Sequence, residues 1–125
     1  MMNSIALVGR LVAEPEFKEL EDGKKVSNMT LAVPRSYKNE NGEYEADFVD
    51  CVLWNNVAQN TAEYCHKGDL LGVRGRIQTN TFETENGEKK KITQVIAERV
   101  AFLTNKQNVL DEVQNDKTEE EDLEV

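Results

Sequence analysis

The chain alternates apolar and polar positions over several short runs, and the alternation changes period once. Residues 4–12, SIALVGRLV, are rich in β-formers and interrupted by Gly9, a place for a bulge or a close backbone approach; Pro15 ends the run. Asp22-Gly23 signals a hairpin, after which KVSNMTLAV places Met29, Leu31 and Val33 on one face. Pro34 removes a ladder donor, so this strand should bend or bulge there. A polar loop, Asn39 to Glu43, leads to DFVDCVLW, residues 47–54, with Val49, Cys51 and Leu53 on its apolar face. Residues 56–67 switch to helical spacing, with Val57, Thr61, Tyr64 and Cys65 on one side. Asn55 or Asn56 is placed to cap this helix, His66 and Lys67 sit in its last turn, and Gly68 terminates it. A strand over 70–84 follows, with Leu71, Val73 and Ile77 on one parity. A turn at Glu85-Asn86-Gly87-Glu88 leads to the last strand, 89–103.

The predicted order is β-β-β-α-β-β. An antiparallel set with one short helix between strands three and four points to an all-β, five-stranded Greek-key barrel of the OB type; a split α+β sandwich fits the pattern as well. The 125 residues suffice for one domain with its own core. The expected division is a barrel over 1–105 and a disordered acidic tail over 106–125.

Charge sharpens that division. The net charge is −9, but residues 1–105 hold 13 basic and 16 acidic side chains, while 106–125 hold 2 and 8. The body is nearly balanced and has room for a basic groove, whereas the tail has too little apolar surface to fold. The two cysteines, Cys51 and Cys65, fit no metal-ligand spacing and are expected to be reduced packing residues, which suits a cytoplasmic protein. The start, MMNSIALVGRLVAEP, lacks a basic leader and carries Arg10 within its apolar run, so neither a signal peptide nor a membrane span is expected. With one histidine, no phosphate-cradling Gly-rich loop and no nucleophile–base pair, an enzyme is not expected, and no cofactor is implied. Asp47 and Asp50 lie on opposite parities, so they are not an acid–base couple.

The polar faces carry the functional signal. Three regions set aromatic rings beside polar or basic groups: Arg35–Tyr37, Phe48–Trp54 and Arg74–Arg76–Phe82. Leaving a large ring wet forgoes about 1.5–3 kcal/mol of burial, so Tyr37, Phe48, Trp54 and Phe82 should cover something. Unpaired nucleobases are one such surface: stacking is worth about 1–3 kcal/mol per base, and neighbouring arginines neutralise phosphates. A helix or a second subunit over the same rings is the alternative, in which the barrel is a protein-interaction module and the acidic tail mimics nucleic acid. Asp50 opposes phosphate binding unless it pairs with one of the arginines and orients it.

The segments SIALVGRLVAEPEF, NMTLAVPRSY, EADFVDCVLWNNVAQNTAEYCHKGDLLGVRGRIQTNTFE and NGEKKKITQVIAERVAFL resemble, over residues 1–103, the bacterial and phage single-stranded DNA-binding proteins. The resemblance implies an OB fold that assembles as a homotetramer and wraps single-stranded DNA, protecting it in replication, recombination and repair, in association with the nucleoid. It implies stacking roles for Tyr37, Phe48, Trp54 and Phe82, and phosphate contacts for Arg10, Arg35, Arg74 and Arg76, with Lys18 and Lys67 as secondary contacts. Residues 4–11 would pair with their copy in a neighbouring subunit. Two departures stand out. Asn80 occupies a position, two before the last ring, where many members are basic. The tail ends EEEDLEV, without the Pro-Phe pair through which family tails dock into replication and repair proteins.

Overall fold

The structure is a computed structural model and describes residues 1–104; the tail expected over 106–125 lies outside the described residues. Six strands and one helix follow in order: β1 (Ile5–Leu11), β2 (Glu16–Glu19), β3 (Lys25–Lys38), β4 (Tyr44–Trp54), α1 (Asn55–Tyr64), β5 (Leu70–Glu83) and β6 (Lys89–Thr104). The sheet runs β1-β5-β6-β4-β3-β2, and a β1–β3 pairing closes five of the strands into a barrel. β4 and β6 are parallel; every other pairing is antiparallel.

Alternation builds the interior. Met29 and Leu31, Cys51 and Leu53, Leu71 and Val73, and Val95 and Ala97 enter from four strands as pairs two residues apart. Leu11 joins them from β1 and Ala58 from α1. Cys51 and Cys65 are free thiols inside this core; burial pushes their pKa values up to about 11 and about 12, so both pack as small apolar groups. Gly9 lies where β1 crosses β3: a β-carbon there would stand 2.7 Å from the Ala32 carbonyl oxygen, the close approach its position in the sequence anticipates.

Four details depart from the sequence reading. The four-residue strand β2 was not anticipated, because EFKE is exposed at every position and shows no apolar face. The helix begins at Asn55 with Trp54 at its N-cap position and no side-chain cap; the side-chain Oδ1 of Asn55 instead accepts from the Lys25 N–H at 3.3 Å. The helix ends at Tyr64, so His66 and Lys67 fall in the following turn, where the His66 ring lies 3.1 Å from Glu14. Ile77 is exposed rather than part of the core, because the β1–β5 ladder stops at Gly75. Beyond it only the Asn3 side chain continues the pairing, bonding the Ile77 N–H and carbonyl at 2.9 Å each. The bend expected at Pro34 is present as a register shift between Pro34 and Lys38.

Candidate nucleic-acid interface

Directly paired residues on neighbouring strands project to the same side of a sheet, so the register fixes which side chains share the barrel's outer face. Arg10 pairs with Ala32, and Ala32 with Phe48, so one row crosses β1, β3 and β4. Lys18, Val26 and Trp54 form a second row across β2, β3 and β4. Arg76, Ile96 and Val52 form a third across β5, β6 and β4. Phe82 lies on the same side of β5 as Arg76, farther out on the β5–β6 hairpin and opposite Lys90. Arg74 pairs with Ala6, which shares a face with Arg10. Six of the residues picked from the sequence, Arg10, Phe48, Trp54, Arg74, Arg76 and Phe82, therefore lie on one surface.

The rings on this surface are open to solvent. Phe48 is 68% exposed, Phe82 47% and Trp54 39%, while the neighbouring β4 residues Cys51 and Leu53 are fully buried. No helix of the described chain lies over them. Among the described residues Arg10, Arg74 and Arg76 form no salt bridge. Arg10 donates to the Gly68 carbonyl at 3.0 Å, close to Lys67, and Arg76 to Gln78 Oε1 at 2.9 Å, which fixes both guanidinium groups without neutralising them.

Arg35 and Tyr37 are placed differently. Arg35 turns to the opposite side of the β3–β4 hairpin, 2.8 Å from Glu45 and 2.8 Å from Asp47. The hydrogen bonds that Arg35 donates to Asp47, reinforced by the carboxylate's charge, raise the Arg35 pKa further, and Arg35 in turn holds the Asp47 carboxyl below its ordinary value. Tyr37 stays near Arg35 in the irregular stretch before Lys38 and is 63% exposed. With two carboxylates on one guanidinium, this cluster carries a net negative charge. The acid that pairs with an arginine is thus Asp47, together with Glu45, and not Asp50, whose Oδ1 accepts from the Thr30 hydroxyl at 2.9 Å.

Three further residues belong to the surface and were not picked from the sequence. Lys90 faces Phe82 across the hairpin; folding the KKK run back about the Glu85–Glu88 turn would have paired them. Tyr44 shares the parity of Phe48 and lies under the Lys38 ammonium, 5.7 Å from its ring centre. Arg99 sits directly opposite Arg74. Like charges facing each other across strands destabilise a sheet, and an anion lying against this pair would relieve the repulsion.

A closed five-stranded barrel with bare rings among free guanidinium groups defines a single-strand nucleic-acid-binding module. The model of the Single-strand binding protein family matches residues 2–103. The chain is 50% identical over 103 residues to single-stranded DNA-binding protein B of Bacillus subtilis, covering 82% of this chain and 91% of that one. It is 47% identical over 108 residues to single-stranded DNA-binding protein 3 of Listeria innocua, covering 86% and 68%, and 48% identical over 103 residues to the single-stranded DNA-binding protein of Halalkalibacterium halodurans, covering 82% and 61%. The chain belongs to the single-strand binding protein family.

Proposed function

We propose that the outer face carrying Arg10, Phe48, Trp54, Arg74, Arg76 and Phe82 is where this chain holds single-stranded DNA. It binds without regard to base sequence and protects the strand during replication, recombination and repair. The observation that carries this reading is the coincidence of exposed rings and unneutralised arginines on the outer surface of the barrel. Rings stack bases of any identity, and the arginines, joined by Lys90 and Arg99, take the phosphates. Arg35 and Tyr37 contact DNA only where the strand leaves this face along the β3–β4 hairpin, and Arg35 does so only by exchanging a carboxylate for a phosphate. Nothing in this scheme requires bond-breaking chemistry: the protein acts by binding.

Titrating an oligothymidine at several salt concentrations tests the assignment. Each phosphate neutralised contributes about −0.7 to the slope of log affinity against log salt. Replacing Arg74 and Arg76 together with alanine is expected to make the slope shallower by about 1.4. An unchanged slope would place the phosphate path elsewhere.

The proposal extends to assembly. β1 pairs with β3 only at Arg10 and Leu11, so from Ile5 to Gly9 one edge of the strand is left unpaired by this chain. Beside it a recess of about 380 Å³ is lined by Ala6, Val8, Gly72 and Ala101 together with Arg74 and Arg99, and Val8 is half exposed. An open strand edge favours pairing with a second copy, and two such pairs make the homotetramer. Sedimentation equilibrium should return four chains; a monomer at micromolar concentration would refute the assembly. Buried thiols fit a cytoplasmic, nucleoid-associated setting, and among the described residues no helix is long and apolar enough to cross a membrane. The acidic tail, outside the described residues, is the segment through which replication or repair proteins would be met.

A further inference from the structure

Asp50 stands between the two rings of β4, on the same face. The β3–β4 register stacks four outer-face pairs in succession: Phe48 with Ala32, Asp50 with Thr30, Val52 with Asn28, and Trp54 with Val26. Successive pairs lie roughly 6.6 Å apart along the strand, so a base stacked at Phe48 brings its edge next to Asp50. A recess of about 310 Å³ opens over this position, lined by Glu14, Glu16, Asn28, Thr30, Asp50 and Gln94 among others. The Thr30 hydroxyl fixes one carboxylate oxygen at 2.9 Å, and among the described residues the other has no protein donor. No group of acidic, histidine or cysteine side chains among the described residues is set to hold a metal ion there. Three carboxylates also turn a phosphate away from the recess. What remains is the edge of a base.

An ionised carboxylate only accepts hydrogen bonds. Cytosine offers it an exocyclic amine at C4, where thymine presents a carbonyl oxygen. We propose that Asp50 is a specificity-determining residue of this face: its free oxygen accepts the exocyclic amine of a base stacked at Phe48 and disfavours thymine there. This rests on the assignment of the face to single-stranded DNA, and superimposes a preference of composition on binding that is otherwise indifferent to sequence.

The test compares oligodeoxycytidine and oligothymidine of equal length, at pH 8 and two salt concentrations, on the wild-type chain and on Asp50→Asn. The amide keeps the size of the side chain and both accepts and donates. Removing the charge tightens binding of both polymers, so the ratio of the two gains is the readout, which also cancels intrinsic differences in stacking. The gain for thymine should exceed that for cytosine about fivefold, the low end of discrimination by a base-edge contact. Equal gains, or a larger gain for cytosine, would mean that Asp50 acts through charge alone and would overturn the proposal. Failure of the wild-type chain to bind either polymer at low salt would bring down the assignment of the face as well, a result distinct from equal gains.

Discussion

Replacing Phe48 with alanine is expected to weaken binding of an oligothymidine about thirtyfold, with no change in the stability of the fold. The first half follows from stacking, worth about 2 kcal/mol at the middle of its range for one base on one ring. The second follows from exposure: at 68% exposed, the ring contributes little to the packing of the chain that carries it. An account in which the arginines do all the binding predicts unchanged affinity. One in which the ring is structural predicts a lower melting temperature. Measuring affinity by equilibrium titration and stability by thermal unfolding on the same variant separates all three.

Gly75→Ala is expected to have the largest effect on the fold. Gly75 is buried where β5 passes β6 at the register shift, and an added β-carbon would fall on the Ile96 carbonyl oxygen. Backbone cannot swing aside as a flexible side chain does, so the clash must move a strand. A loss of about 3 kcal/mol, the upper end of ordinary overpacking, is expected. Gly72→Ala is the control three residues away: its β-carbon would meet only the side chains of Leu103 and Ala101 at 3.6 and 3.7 Å, ordinary contact distances. Urea midpoints for the two variants should therefore differ widely, and matching midpoints would contradict the packing described here. The clash also reaches the proposed interface, because Gly75 separates Arg74 from Arg76 and marks where β5 leaves β1 for the hairpin that carries Phe82.

How far the sequence disclosed this molecule depended on how local each determinant is. The core was legible because burial of one strand face imposes a period of two, and Met29, Leu31, Cys51, Leu53, Leu71 and Val73 all obey it. β2 was not, since a strand added outside the barrel wets both faces and has no periodicity to show. Ile77 kept the core parity but lost its cover, because the end of the β1–β5 ladder depends on a partner 70 residues away. That Phe48, Trp54, Arg74, Arg76 and Phe82 turn away from the core was legible from parity. Which arginines are free was not: Arg35 meets Glu45 and Asp47 only once the β3–β4 hairpin closes. Lys90 and Arg99 were hidden for the same reason, since each gains its meaning from the residue across the ladder.

The emission of Trp54 is the most direct probe of the central claim, that bases lie flat against rings on the outer face. Trp54 is the only tryptophan in the chain and is partly exposed beside Val26 and Lys18. Titration with a long oligothymidine at low salt should quench that emission to a plateau at the stoichiometry at which protein and DNA sediment together. Co-sedimentation with undiminished emission would mean that charge alone holds the strand and that the rings serve another purpose.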